Sequence, residues 1–263
     1  MRAFFVASLL AGSLLNSGSS EAVPADAEGA PTEDRARLAP PQEARIRYRL
    51  ATALMEEAEY NAALAHLEQV IVLTPTWGLA QLTYARCRLA IGAPDGPTIK
   101  ALQAAARLTP KNPRAHHELG RLLETQDRLD EANRAYLAVV RLQPRSAHAH
   151  LRLGALALRQ DNLTEARSRL QIAAGLDPSD IVAHTLLAET LERAGLPKEA
   201  ERELRNVIGI RSENSYSWRR LAAFYQRQGK EDQAAKALAE AARLEARKSG
   251  PRRRMRPLQP SAR

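Results

Sequence analysis

The chain has little cysteine, little aromatic side chain and no long apolar run. Cys87 is the single cysteine among 263 residues. One thiol closes no intrachain disulfide and builds neither a CxxC metal site nor a haem attachment. Its helical, apolar surroundings make Cys87 a small packing residue. Aromatics amount to 4% of the chain, against 44% hydrophobic residues overall. That balance suits many small helix–helix contacts built from Ala and Leu rather than a sandwich or barrel. The longest apolar run, AFFVASLLAGSLL at 3–15, falls short of the ~20 residues a membrane helix needs. The signatures GxSxG, HExxH, GxxxxGK(S/T) and GxGxxG are missing as well. No catalytic residue, metal site or cofactor is therefore expected, and the chain does not read as an enzyme.

Charge is present but unevenly placed. The formal net charge is +9. Arg247, Lys248, Arg252, Arg253, Arg254, Arg256 and Arg263 put seven positive charges and no acid into residues 247–263, leaving +2 for everything before them. Basicity thus belongs to a tail. Three prolines there, Pro251, Pro257 and Pro260, forbid a regular helix, so 247–263 is expected to be disordered. No aromatic is interleaved with RRRMR to stack on bases, which argues against nucleic acid. An anionic envelope component is the fitting counter-charge if the chain is exported.

Export is the reading of the other end. Arg2, the apolar run and the small–x–small stretch Val23–Pro24–Ala25 make 1–25 a cleavable signal peptide, with an uncleaved anchor as the alternative. No cysteine lies near the cut to carry a lipid. The mature chain is then periplasmic or secreted and carries no transmembrane span. Residues 26–43, rich in Pro, Ala and charge without periodicity, read as a disordered leader.

Between these ends the sequence repeats. Residues 113–146 and 147–180 superpose at an offset of 34: Leu119–Gly120 on Leu153–Gly154, Ala132 on Ala166, Tyr136 on Leu170, Pro144 on Pro178. A fixed period of this length means stacked helix pairs, each burying a face its neighbour completes. The register extends over 44–246, giving six units. The second, 76–112, is irregular: its linker IGAPDGP holds two prolines and two glycines, and Pro75 to Pro110 spans 35. It reads as the weakest unit, and 113–180 as the most stable segment. Gly120, Gly154, Ala51, Ala188 and Ala222 sit where the first helix meets the second. Ala63, Ala132, Ala166, Ala200 and Ala234 answer them on the second helix.

The pattern of Trp218, Leu221, Ala222, Tyr225, Ala234, Leu238 and Ala241 in the last unit, and of Leu119, Gly120, Leu123, Ala132, Tyr136 and Pro144 in the third, resembles the tetratricopeptide repeat. The resemblance covers 44–246. It implies an all-α, right-handed solenoid whose first helices line a concave groove for peptides or helices of partner proteins. Carried over residue by residue, the groove positions give Arg45, Tyr48, Thr52 and Glu56 in the first unit, and Arg114, His117, Arg121 and Glu124 in the third. The fourth gives His148, Leu151, Ala155 and Arg159. The fifth gives Val182, Thr185, Glu189, Glu192 and Arg193. The last gives Tyr216, Arg219, Ala223, Gln226 and Arg227. Arginine dominates, which suits carboxylates of an acidic peptide or a chain terminus. The asparagine of the co-chaperone carboxylate clamp is replaced by Thr52, Arg121, Ala155, Glu189 or Ala223, so that subtype is set aside.

His116, His150 and His184 recur every 34 residues, but helices packed ~10 Å apart cannot bring them to one ion at ~2.1 Å. A packing role is expected. The reading is thus a scaffold that binds a partner in its groove, in a bacterial envelope assembly such as secretion, pilus or motility machinery. Two alternatives stand beside it. One is self-assembly through an uncapped last helix (231–246) with Ala234, Leu238 and Ala241 facing inward. The other is an accessory subunit of a separate enzyme.

Overall fold

The structure is a computed structural model and describes residues 40–248. The expected signal, nearly all of the leader and most of the basic tail lie outside the described residues. Within them the chain forms twelve helices and no strand: α1 (Gln42–Glu56), α2 (Tyr60–Leu73), α3 (Gly78–Ala90), α4 (Gly96–Leu108), α5 (Pro113–Thr125), α6 (Leu129–Leu142), α7 (Ala147–Arg159), α8 (Leu163–Leu176), α9 (Ile181–Arg193), α10 (Pro197–Ile210), α11 (Ser215–Arg227) and α12 (Glu231–Lys248). This is an all-α solenoid of helix pairs. None of the helices is long and apolar enough to cross a membrane.

The chain divides into two compact units, Met1–Gln143 and Pro144–Arg263. The boundary falls within the regular stretch 113–180: α5 and α6 belong to the first unit, α7 and α8 to the second. In the first unit α1/α2, α3/α4 and α5/α6 pair, and α3 and α5 stack on the preceding second helices. In the second unit α7/α8, α9/α10 and α11/α12 do the same.

Local chemistry sets the helix ends. Asp95, Asn112, Ser146, Asn162, Asp180 and Asn214 each accept a backbone N–H of the turn they open, meeting donors a helix start leaves bare. Asn214 does this where the fifth unit has no terminating proline. Every first helix ends in one left-handed residue at the same repeat position: Ala58, Gly92, Asp127, Asp161, Gly195 and Gly229, with φ between 58° and 77°. Alanine pays a steric cost of ~1–2 kcal/mol there, while glycine loses somewhat more chain entropy on folding. Ala58→Gly is therefore expected to raise the unfolding free energy by about 0.5–1 kcal/mol. Urea unfolding checks this, and a loss of stability would contradict it.

Small residues govern the packing inside each pair. A Cβ on Gly154 would lie 2.6 Å from Leu170 Cγ, and one on Gly120 would lie 2.9 Å from Tyr136 Cε1. Ala51, Ala188 and Ala222 hold the same place and are buried, as are Ala63, Ala132, Ala166, Ala200 and Ala234. Burial of each Leu-sized neighbour contributes ~1.5–3 kcal/mol. The core of the second unit runs continuously through Ala166, Leu170, Leu187, Leu191, Leu204, Leu221 and Phe224.

The irregular second repeat is well tied. Asp95 accepts from the backbone N–H (3.2 Å) and hydroxyl (2.9 Å) of Thr98, and Arg88 reaches Asp95 at 2.5 Å and Thr98 Oγ1 at 3.1 Å. Thr98, then Arg88, hold the Asp95 carboxyl below the usual carboxylate range.

Leu238 departs from its expected orientation. Ala234 and Ala241 face inward, but Leu238 is 43% exposed. Its counterparts Leu170 and Leu204 are 0% and 5% exposed. Among the described residues no further first helix follows α12 to cover it.

Candidate functional site

The recurring histidines close turns. The Nε2 of His116 donates to Pro110 O at 3.2 Å, that of His150 to Pro144 O at 3.0 Å, and that of His184 to Pro178 O at 3.1 Å. Gln81 Nε2 makes the same bond to Pro75 O, and Trp218 Nε1 to Ser212 O, both at 3.2 Å. In five repeats a side-chain N–H thus latches the carbonyl six residues back. Three residue types share the position because all three carry an N–H at similar reach.

His184 has a second partner. Its Nδ1 lies 2.7 Å from Glu203 Oε2, with both side chains more than nine-tenths buried. Asn206 Nδ2 also donates to Glu203 at 3.1 Å. No other repeat copies this pair: Arg169 stands where the preceding repeat would carry the acid, and His150 Nδ1 is buried without a partner.

The first unit carries a cleft of ≈ 590 Å³ between α1, α3 and the start of α5. Of the residues expected to line a groove, Tyr48, Thr52, Glu56 and Arg114 are there. Tyr48 is fixed by a 4.7 Å ring contact with Trp77 and a 2.9 Å hydrogen bond with Thr83 Oγ1. The remaining wall includes Met55, Tyr60, Leu79, Leu82, Arg86 and Asn112. Leu79 is 43% exposed on it. Sequence reasoning missed Leu79, Leu82 and Arg86 because the groove register was not carried through the irregular repeat. Counted from Ala85, the small residue of α3, they fall on the same positions as Arg45, Tyr48 and Thr52 on α1.

The other groove candidates of this unit lie elsewhere. Arg45 is exposed on the first turn of α1, outside the cleft wall. His117 sits edge-on to Tyr136 with centroids 6.0 Å apart, and Glu124 accepts from the Tyr136 hydroxyl at 3.0 Å. Arg121 bonds Glu118 at 2.9 Å.

The second unit has its own cleft, ≈ 450 Å³, lined by Thr185, Glu189, Glu192, Arg193, Arg220 and Arg227 with Ala188 and Leu204. Arg193 and Arg227 were expected there. Its cations are bound to acids. Arg227 Nε and Nη2 each reach a Glu192 oxygen at 2.8 Å, a bidentate pair that holds the guanidinium above its usual range. Arg193 reaches Asp161 at 2.6 Å and Arg220 approaches Glu189 at 4.0 Å. His148 and Arg159 are exposed on α7, outside this cleft. Leu151 is buried in the core. Tyr216 stacks under Arg220 at 5.9 Å, and Arg219 turns away to Glu245 of α12 at 2.7 Å.

On the outer side of α10, Glu201 accepts from Tyr225 at 2.8 Å, Arg205 at 2.9 Å and Lys230 at 3.3 Å. Burial pushes the Glu201 carboxyl up, but these three donors outweigh it and leave it below 4.5. A depressed carboxylate stabilises the fold above its unfolded value and loses that contribution as pH falls through the folded one. Glu201→Gln is expected to cost about 1 kcal/mol at pH 7 and to flatten the decline of stability below pH 4.5. Denaturant melts from pH 7 to 3 test both; an unchanged acid slope would contradict it.

A solenoid of helix pairs with clefts on its first helices is a helical-repeat architecture. The tetratricopeptide repeat model matches residues 99–132 and 117–181. Residues 99–181 thus carry tetratricopeptide repeats, within a solenoid of helix pairs of the same kind. Solved structures share the fold. MamA from Desulfovibrio magneticus RS-1 is 18% identical with a TM-score of 0.60, over 66% of this chain and 97% of that one. YrrB, described as a TPR protein with an unusual peptide-binding site, is 15% identical at 0.59, over 68% and 92%. PilF of Pseudomonas aeruginosa is 17% identical at 0.60, over 77% and 92%. No sequence match is found among curated proteins.

Proposed function

We propose that the chain is a non-catalytic scaffold that holds a segment of a partner protein against the first-helix face of its first unit. One observation carries this: the ≈ 590 Å³ cleft with a half-exposed leucine and two arginines on its wall. The peptide-binding site named for the similar YrrB supports the class of ligand. The partner segment is acidic, and the scaffold works outside the cytoplasm in an envelope assembly. The signal-like residues 1–25 and the basic residues 247–263 favour that setting. A photo-crosslinking residue in place of Thr52, on the cleft wall, is expected to trap a discrete partner in fractionated cells. The same residue at Val72, 81% exposed on α2, is expected to trap none. Equal yields would remove the groove reading. The N-terminus of the mature protein decides the compartment: Met1 intact on a cytosolic chain would overturn export.

Leu238 favours self-association as a second reading. Head-to-tail stacking fits poorly. Ala80, Ala115, Ala183 and Ser217 are buried at one position of their first helices, where α1 carries Ile46, 42% exposed. That larger side chain would hold off an incoming second helix. Two copies would instead meet α12 to α12 in a closed pair. Light scattering showing a monomer at high concentration, unchanged by Leu238→Glu, would dispose of it.

A further inference from the structure

We propose that the two clefts divide the work: the first-unit cleft takes a free carboxylate next to an apolar side chain, as on the C-terminal residue of a partner chain, and the second-unit cleft rejects it. The proposal rests on the reading that first-helix faces bind peptide. It follows from what each arginine already touches. In the second unit Arg227 is held in the fork of Glu192, Arg193 by Asp161, and Arg220 lies near Glu189. A carboxylate arriving there would have to displace an intramolecular one of the same chemistry, and that exchange gains little.

In the first unit Arg86 and Arg114 line the wall, and neither has an ion-pair partner among the described residues. Glu56 is the one acid on that wall, against two guanidinium groups. Arg86 is half-buried on α3, where reduced hydration strengthens its attraction for an anion. Arg114 stands on the first turn of α5, so the second guanidinium reaches the wall from a different helix. The guanidinium fork matches a carboxylate with two parallel hydrogen bonds.

The apolar half of the ligand is set by Leu79. It is 43% exposed, beside Leu82 at 2% and with Met55 across the cleft. A leucine-like side chain laid on this shelf would remove apolar surface from water on both partners. The hydroxyls of Tyr48 and Thr83 bond each other and fix the wall rather than reach for the anion. The clamp of the co-chaperones is not reproduced: the cations here come from the irregular second repeat and from a helix start.

The test is an NMR titration of the isotope-labelled full chain with small probes. N-acetyl-leucine is expected to shift cleft resonances of Leu79, Arg86 and Arg114. N-acetyl-leucinamide, which lacks the charge, is expected to shift them far less. N-acetyl-glutamic acid α-amide, carrying only a side-chain carboxylate, separates an acidic side chain from a chain terminus and is expected to be the weaker ligand. Arg86→Gln and Arg114→Gln should each weaken N-acetyl-leucine by about tenfold or more, and Leu79→Ala should weaken both leucine probes equally. Glu192→Gln frees Arg227 and is expected to create carboxylate binding in the second cleft. If acid and amide bind the first cleft equally, the carboxylate assignment fails while the groove reading stands. If no probe shifts any first-helix resonance, both fail. If the wild-type second cleft binds the acid as well as the first, the division of work is wrong.

Discussion

Replacing His184 by glutamine lowers the free energy of unfolding by about 3–5 kcal/mol, the usual result of removing one partner from a buried pair. The turn latch is not the cause, because Gln81 makes the same bond to a proline carbonyl in the second repeat. What is lost is the donor 2.7 Å from Glu203, leaving a carboxylate less than a tenth exposed with Asn206 at 3.1 Å and Arg202 at 3.5 Å. Glu203→Leu alone should cost less, since the ring it leaves resembles His150, whose Nδ1 is already unpartnered. The double variant, His184→Gln with Glu203→Leu, keeps the latch and removes the charge, so its stability should return to within about 1 kcal/mol of the parent. Urea unfolding reads all three. Equal losses for the single His184→Gln and the double variant would show that the buried carboxylate is not the source.

Tyr136→Ala in the first unit is expected to cost about 3–5 kcal/mol. Its ring is fully buried, lies over the missing Cβ of Gly120, meets the edge of His117 and donates to Glu124 at 3.0 Å. Tyr136→Phe keeps the ring and loses only that bond, at about 1 kcal/mol. The difference between the two separates packing from hydrogen bonding. Similar losses would put the stability in the hydroxyl instead. His117 leans on this ring and Glu124 on its hydroxyl, so the alanine variant should also disturb the resonances of both, and the phenylalanine variant only those of Glu124.

Those two residues show why the fold was easier to read than the site. Spacing alone placed Gly120 and Gly154 where the first helix meets the second, because a 34-residue period repeats the same close approach; it named Ala132 and Ala166 as their counterparts, and the structure adds Tyr136 and Leu170. The resemblance to the repeat family placed Tyr48 and Arg114 on a groove, and the structure puts both on a cleft; spacing does not reach further. It could not say that Arg219 bends to Glu245, or that Arg121 bonds Glu118. Such choices depend on rotamers and on which acid is nearest. The same limit hid the difference between the clefts, since arginine is counted alike whether free or paired. Leu79 and Arg86 went unread for another reason. The extra residue between Pro75 and Pro110 falls after α3, so the 34-residue offset from the first unit still reaches both, but the register was not carried into the irregular repeat. Leu238 was placed inward by its repeat position, but its side chain is 43% exposed on α12.

The ties between helices also bear on how fast each unit forms. In the second unit Arg167 meets Glu199 and Arg193 meets Asp161 at separations of 32 residues, and Arg227 meets Glu192 at 35. In the first, Tyr48 meets Thr83 at 35 and Gln126 meets Pro94 at 32. Such contacts close short loops, and topologies rich in them fold in roughly microseconds to milliseconds. A helix pair and its predecessor are enough to make each tie. Within each unit a repeat can thus lock onto the one before it soon after both have been synthesised, so the order of translation sets the order of folding there.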